Sequence, residues 1–308
     1  MQITSKEITT RLLDALWEQY IRRVTYAKTY ADLVKSEGGQ VVNDHIAFRT
    51  LHTDTGKQPK GIGAIWHILD ALGFKPVGHY NFEIKKLHAI HFEHPDELFP
   101  KLFVSQLEVD QLPLWAQDSI HQTVKDTPYL LSDFAVEQLL KLNKDGQLPE
   151  DDAKLFVLEL ADYFRRPWDI PNQKIVEKLN DISQYGAWVL LHGNSVNHFT
   201  AFINYQNVKE WPDLEVTCHA LAKAGVPMKS HIEGNKGSIL QQSSTHAIKE
   251  LVEVVKNDGM VHKIIWTYAY YELAERGYIE EDGERKLFSG FLGEQASHLF
   301  DMTQTGMH

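Results

Sequence analysis

The sequence predicts an α+β fold in which a βαβββ module occurs twice, with additional helices at the N-terminus and between the copies. Three features recur about 150 residues apart: a histidine in an apolar strand, an amphipathic helix that ends in glycine, and several following strands. Such a repeat predicts one pseudo-symmetric structure, because two half-barrels must pack together to bury their concave faces and so create one shared cleft.

The two copies can be matched element by element. The first copy consists of a strand, a helix and three strands at 45–49, 62–73, 75–80, 87–91 and 102–109. The second copy has the same order at 196–202, 214–225, 226–231, 238–242 and 264–272. When Gly73 is aligned with Gly225, His67 coincides with His219 without a gap. The continuous alignment predicts equivalent folds for the two copies.

The sequence outside the two copies is predicted to form helices. Residues 5–33 carry apolar side chains at helical spacing, which predicts one or two helices before the Gly38-Gly39 loop signal. Between the copies, Ser132 is a good N-cap for one helix, and another runs from Glu150 towards Pro167. We therefore expect a single domain divided into N-terminal helices, first module, helical insertion and second module at 1–35, 40–112, 113–190 and 191–308.

Composition excludes several classes of protein. The 308 residues carry a formal net charge of -11, whereas nucleic-acid binding requires a basic face. No apolar run approaches the roughly 20 residues of a membrane helix, and the first residues do not resemble a secretory signal. The single cysteine, Cys218, rules out an intrachain disulfide. The expectation is a cytoplasmic protein that binds neither nucleic acid nor membrane.

The repeated histidines suggest a metal site. Strand alternation places His45, Ala47 and Arg49 on one face, and His198 occupies the place equivalent to His45. Glu272 lies in an aromatic segment predicted as a strand up to position 273, where burying a carboxylate is costly unless it is paired or metal-bound. Two histidines and one carboxylate suit non-haem Fe(II), although the same set can hold Zn, Ni or Mn.

Other interpretations of these residues are open at this level. A strand histidine by itself is usually packed or hydrogen-bonded, and Glu272 could instead form an ion pair with Arg276 or Arg285. His88, His91 and His94 form the densest rival group, which we interpret as a surface cluster because positions 88 and 91 lie on opposite strand faces. Glu275 is expected in solvent beside Arg276.

The ordered motifs resemble one known family. They are His45-x-x-x-Arg49, the segment 196–200 that contains His198, 240–245, 270–277 and the closing segment 288–301. At these residues the chain resembles the 2-oxoadipate dioxygenase/decarboxylase family of the vicinal oxygen chelate superfamily. The resemblance implies a metal held by His45, His198 and Glu272, with Arg49 contacting a substrate carboxylate.

The same resemblance implies an activity, namely conversion of 2-oxoadipate to 2-hydroxyglutarate with O2 and the release of two CO2. The partners would be a small 2-oxo acid and O2. Gln241 and Ser243 share a face of their predicted strand and are candidates for polar substrate contacts. A metal-dependent lyase, isomerase or hydrolase and a metal-free binding module are the competing functions.

Overall fold

The N-terminal segment packs two helices against the core. A computed structural model gives the fold, and the structure describes residues 1–281 and 283–293. The first elements are β1 (Gln2–Thr4), α1 (Ser5–Arg23) and α2 (Thr25–Ser36). In α1, buried Ile8, Leu12 and Leu16 recur every four residues and form one apolar face. The prediction of one or two helices is confirmed, with the break at Val24.

The first βαβββ module has the predicted order. Its elements are β2 (Asn43–His52), α3 (Gly63–Ala71), β3 (Lys75–Phe82), β4 (Leu87–Glu93) and β5 (Lys101–Glu108). Gly73 follows α3 with φ +94°, a conformation that residues with a side chain rarely adopt. Glycine at this position lets the chain reverse from helix into strand.

Helices dominate the segment between the modules. The elements are α4 (Leu114–Val124), α5 (Asp133–Asp145), β6 (Gln147–Pro149), α6 (Glu150–Tyr163), α7 (Gln173–Asn180) and α8 (Gln184–His192). The Ser132 side chain caps α5 by accepting a hydrogen bond from the Ala135 N–H, as predicted. Among the described residues, no helix is long and apolar enough to cross a membrane.

The second module departs from its predicted strands in two places. Its elements are β7 (Val196–Phe202), α9 (Leu214–Lys223), β8 (Leu240–Ser244), β9 (Lys249–Val255), β10 (Val261–Thr267), β11 (Glu272–Arg276), β12 (Tyr278–Glu281) and β13 (Glu284–Leu287). Segment 226–231 is no regular strand: it contains Pro227, which lacks an N–H, and makes only an isolated bridge from Met228 to Thr245.

The aromatic strand predicted to run through to position 273 is also divided. β10 pairs with β9 in a separate two-stranded sheet, and β11 begins only at Glu272. Between them the chain is buried and forms no regular element, and the Tyr268 hydroxyl donates to the Val196 carbonyl. Burial of these aromatic residues, rather than a continuous strand, explains the apolar pattern.

The two modules meet in one seven-stranded sheet with the order β3-β4-β5-β2-β7-β11-β8. The first strands of the two copies, β2 and β7, are neighbours at its centre and pair antiparallel. The sheet curls into a half-barrel, so the fold class predicted from the repeat is confirmed. α1 packs on the convex face, where Trp17 contacts Phe199, whereas α8 covers one end of the concave face near Arg49.

Candidate metal centre

Two β-bulges lie beside the two repeated histidines. In the pairing of β2 with β7, His45 lies opposite Thr200 and His198 lies opposite Ala47. The register shifts at the residue before each histidine, namely Asp44 and Asn197. A bulged residue departs from strict alternation, so its side chain can lie beside that of the histidine that follows. The imidazole centroids are 5.5 Å apart on the concave face.

Glu272 brings a carboxylate to the same place. It begins β11 and lies opposite Thr200 of β7 in a parallel pairing. Its Oε1 is 3.4 Å from His45 Nε2, and its Oε2 is 3.5 Å from His198 Nε2. One ligand atom from each of the three residues lies within 4.8 Å of the others, and all three side chains are buried. A metal ion placed between these atoms could therefore bind all three.

Hydrogen bonds leave the Nε2 atoms available for a metal. His45 Nδ1 is 2.7 Å from Asp44 Oδ1, and His198 Nδ1 is 3.1 Å from Asn197 Oδ1. Both oxygens are acceptors, so each imidazole carries its proton on Nδ1 and keeps the Nε2 lone pair. The Thr200 hydroxyl lies 3.1 Å from His45 Nε2 and can donate to that lone pair.

Asp44 is held by an arginine from the second module. Arg276 Nε and Nη2 donate to the two Asp44 carboxylate oxygens at 2.5 and 2.8 Å. Burial would raise the pKa of Asp44, but the Arg276 charge and its hydrogen bonds, together with His45, hold that pKa far below the ordinary value. Asp44 is therefore an anion behind His45. Of the two arginines considered as partners of Glu272, Arg276 binds Asp44 instead.

The unsatisfied atoms of the cluster fit a divalent cation. Burial raises the pKa of Glu272 well above the ordinary value, although a hydrogen bond from Gln242 Nε2 to Oε1 at 2.6 Å opposes this. Burial also lowers the pKa of His45 and of His198. Within the part of the chain that the structure describes, His198 Nε2 and Glu272 Oε2 are buried without a hydrogen-bond partner. A metal ion would satisfy both atoms and offset the cost of the buried carboxylate.

A cavity that is open on one side adjoins these ligands on the concave face, with about 350 Å³ of free space including its open side. Its walls are mostly aromatic and apolar, with a few polar groups. The lining residues are His45, Ala47, Phe48, Arg49, Phe103, Ser105, Asn197, His198, Tyr270 and Phe291. An apolar cavity with a few polar groups is the usual form of a site for a small molecule.

Arg49 provides a positive charge in this cavity. It is 2% exposed, and its guanidinium lies 5.1 and 5.2 Å from the rings of Tyr185 and Trp188 on α8. The charge contributes to lowering the pKa of His198, after burial and His45. Arg49 thus lines the same cavity as the two histidines, on the face that alternation predicts.

The expectation for Gln241 and Ser243 needs correction. Gln241 lies opposite Glu275 and Ser243 opposite Leu273, so both face away from Glu272. The Ser243 hydroxyl lies 3.4 Å from the His231 carbonyl oxygen. Gln242, between them in sequence, is the residue that reaches the centre. Alternation correctly places 241 and 243 together, but the side of the sheet they occupy depends on the pairing with β11.

The structure also corrects the expectations for Glu275 and for the rival histidine group. Glu275 accepts a hydrogen bond from the Leu214 N–H at 2.7 Å and helps to begin α9, instead of standing free in solvent. His91 is 3% exposed and lies on the concave face, so it does not belong to a surface cluster. His88 is partly exposed, as expected, and lies 3.1 Å from Asn81. His298, which belongs to the closing motif 288–301, lies outside the described residues.

The sequence patterns did not identify several residues that lie next to the metal centre. Asp44, Asn197, Gln242 and Phe291 touch a ligand or the cavity, and Arg276 binds Asp44. A signal existed for two of them, because a polar residue directly precedes the histidine in both copies. Strict alternation would place those residues on the opposite face, and only the bulges reverse that inference.

Comparisons with known proteins agree with the fold and the motifs. The family model for 2-oxoadipate dioxygenase/decarboxylase matches residues 9–306. A chloroplastic/amyloplastic 2-oxoadipate dioxygenase/decarboxylase from Oryza sativa is 26% identical over 92% of this chain and 75% of its own length.

Two solved structures share the fold. A putative glyoxalase superfamily protein from Ralstonia eutropha has a TM-score of 0.84 at 24% identity, over 93% of this chain and 87% of its own. The hydroxyglutarate synthase of Oryza sativa in complex with 2-oxoadipate has a TM-score of 0.75 at 24% identity, over 97% and 93%. The fold is therefore of the vicinal oxygen chelate type. Because the family model spans nearly the whole sequence, this chain belongs to the 2-oxoadipate dioxygenase/decarboxylase family.

Proposed function

We propose that this chain is an Fe(II)-dependent dioxygenase/decarboxylase that converts 2-oxoadipate, or a close 2-oxo dicarboxylate, to 2-hydroxyglutarate with O2 uptake and CO2 release. One observation carries the proposal: two members of a His-His-Glu set, His45 and His198, line the same cavity as the buried arginine Arg49. The first group suits a metal with free positions, and the second suits a carboxylate.

The metal would be held by His45 Nε2, His198 Nε2 and the Glu272 carboxylate. Bound there, Fe(II) would supply a Lewis-acidic template with free positions for a 2-oxo acid and for oxygen. Because burial raises the pKa of Glu272 in the metal-free protein, binding of the ion to the carboxylate would compete with its protonation. Gln242 would then orient the carboxylate through its bond to Oε1.

Arg49 would bind the carboxylate at the far end of the substrate. It lies four residues beyond His45 on β2, which corresponds to about 13 Å of strand, and its long side chain spans part of this distance. A planar guanidinium can donate two parallel hydrogen bonds to a carboxylate, which fixes direction as well as position. Holding both ends of the molecule would determine which carbon is presented for hydroxylation.

Carbon balance corrects the number of CO2 molecules expected from the resemblance. A six-carbon acid becomes a five-carbon acid, so only one CO2 leaves for each O2 consumed. One oxygen atom completes the new carboxylate at the former keto carbon, and the other forms the hydroxyl on the carbon beside it. The distal carboxylate is retained, which agrees with a residue whose task is to hold it.

The apolar walls would exclude water from the reacting groups. Phe103, Phe291 and Tyr270 line the cavity and are each less than a tenth exposed. A water-poor site strengthens the attraction between Arg49 and a carboxylate, because the local dielectric is low. It also limits side reactions of intermediates.

Oxygen uptake is the direct test of this function. Protein loaded with Fe(II), with the iron verified by elemental analysis, should consume O2 with 2-oxoadipate and release one CO2 per O2. A panel of 2-oxo monocarboxylates of the same length provides the specificity control. Background uptake with every acid, in iron-loaded protein, would reject the oxygenase in favour of a lyase, isomerase or hydrolase.

The role of Arg49 is tested by Arg49→Lys, which keeps the charge but loses the two-pronged geometry. We expect this variant to retain metal and melting temperature while losing most of kcat/KM for the dicarboxylate. The competing role is a buried structural ion, whose disturbance costs several kcal/mol. A large fall in melting temperature with unchanged activity per folded molecule would remove Arg49 from the substrate site.

A further inference from the structure

Arg276 connects the metal centre with the segment Phe288–Phe291, whose last residue lines the cavity. Besides its two bonds to Asp44, Arg276 Nη1 donates to the backbone carbonyls of Phe288 and Gly290 at 2.9 and 2.8 Å. Its side chain is 1% exposed. One guanidinium therefore binds both the carboxylate behind His45 and the backbone of the wall segment, which we define as residues 288–291.

A second set of hydrogen bonds holds the other end of the wall segment. The Phe291 N–H donates to the Tyr80 hydroxyl at 3.3 Å, and that hydroxyl lies 2.9 Å from His91 Nδ1. His91 Nε2 lies 3.3 Å from Glu93 Oε1. Since Glu93 can only accept when ionised, the chain runs in one direction, with His91 donating from Nε2 and accepting at Nδ1 from Tyr80.

The side chain of Phe291 brings this segment against a metal ligand. Its ring centroid lies 4.9 Å from that of His45, at an interplanar angle of 86°. It also lies 4.9 Å from the ring of Phe103 and is 8% exposed. His45 is thus contacted by the wall segment directly through Phe291 and indirectly through Asp44 and Arg276.

We infer that Arg276 is a positioning residue that couples metal binding at His45 to the ordering of the wall segment. The inference rests on the proposed metal centre. Asp44 keeps His45 in the metal-binding tautomer, Arg276 keeps Asp44 in place, and the same guanidinium fixes two carbonyls of the wall. A change that loosens the wall should therefore weaken metal binding, and a bound metal should stabilise the wall, because coupling of this kind is reciprocal.

Among residues 1–281 and 283–293, no such ion pair lies behind the ligand His198. Asn197 accepts its Nδ1 proton, but the Asn197 amide nitrogen is buried without a hydrogen-bond partner among the described residues. The two ligands are therefore not supported in the same way, and only the support of His45 is linked to the cavity wall through an ion pair.

The test combines zinc affinity with hydrogen exchange, so it does not depend on turnover. In the wild type, Zn²⁺ should slow amide exchange in a peptide covering Phe288–Phe291. In Arg276→Lys, zinc affinity measured by chelator competition should fall about 10- to 100-fold, and the zinc-dependent slowing should disappear. Arg166→Lys is the matched control, because Arg166 also donates to two backbone carbonyls but lies away from the centre.

Unchanged zinc affinity in Arg276→Lys, or exchange of the wall that zinc does not alter in the wild type, would overturn the coupling. If Arg276→Lys fails to fold, Tyr80→Phe serves in its place, since it removes the acceptor for the Phe291 N–H and the donor to His91 Nδ1 but leaves the Arg276–Asp44 ion pair intact. That variant should speed exchange of the wall and weaken zinc binding by a smaller factor, and wild-type affinity would overturn the inference. Absence of zinc binding in the wild type would instead reject the metal centre itself.

Discussion

His45 in the first module and His198 in the second occupy equivalent positions after a bulge, yet the groups behind them differ in charge. His45 is backed by the Asp44 carboxylate, which is paired with Arg276. His198 is backed by the neutral amide of Asn197. Burial lowers the pKa of both histidines, but for His45 the Asp44 anion opposes the effect, whereas for His198 no such anion is among the causes.

This difference shows how one repeated backbone feature can serve two purposes. The bulge fixes the imidazole direction in both modules, because in both an oxygen from the preceding residue accepts the Nδ1 proton. In the first module the Asp44 carboxylate also makes His45 a stronger donor to a metal and links it to residues distant in sequence. In the second module the Asn197 amide only orients His198. The predictions that follow examine this contrast.

The largest effect is expected for Asp44→Asn. The substitution leaves the Arg276 guanidinium buried without its counter-ion, which costs about 3–5 kcal/mol of unfolding free energy. Metal affinity should fall about 10- to 100-fold, because the amide polarises His45 less. Urea unfolding and metal titration measure the two effects. A variant as stable as the wild type would show that the ion pair contributes nothing.

A smaller loss is expected for Asn197→Ala. Here one neutral hydrogen bond is removed and His198 Nδ1 is left without its acceptor, at a cost of about 1–3 kcal/mol. Metal affinity should also fall, but by less than in Asp44→Asn. The two variants should be compared in the same titration. Equal or larger losses in Asn197→Ala would remove the distinction between a charged and a neutral support.

Glu272→Gln should stabilise the metal-free protein, with an advantage that depends on pH. Burial raises the pKa of Glu272 in the folded protein above its ordinary value of 4.5. The folded protein therefore keeps its full stability below about pH 4.5, where Glu272 is protonated in both states. It loses stability as the pH rises from there towards the folded-state pKa. Glutamine does not titrate, so the variant should gain up to about 1.4 kcal/mol per pH unit over this range. Urea unfolding of both metal-free proteins at several pH values measures this, and a constant difference would contradict it.

Much of the centre was accessible from the sequence because the repeat itself is informative. The equivalence of His45 and His198 came from matching two copies, and strand alternation correctly placed Arg49 on the same face as His45. Glu272 followed from the cost of an unpaired carboxylate in an apolar segment. These inferences need only local periodicity and the pairing of equivalent elements.

The remaining features depend on contacts between distant residues. Neither bulge has a local sequence signal, so Asp44 and Asn197 seemed to face away from the site. The Arg276 partnership spans 232 residues, and the choice between Gln241 and Gln242 is made by the register with β11. The predicted strand at 264–272 was wrong in extent, because buried tyrosines imitate a strand pattern where the chain passes between two sheets.

The central claim is that one metal ion binds between His45, His198 and Glu272. Elemental analysis of the purified protein tests it, alongside His45→Ala, His198→Ala, Glu272→Ala and the control His192→Ala, which removes a buried histidine outside the cluster and the cavity. We expect about one divalent metal per chain in the wild type and in the control, and loss of the metal in each of the three ligand variants. Undiminished metal in all three ligand variants would contradict the assignment.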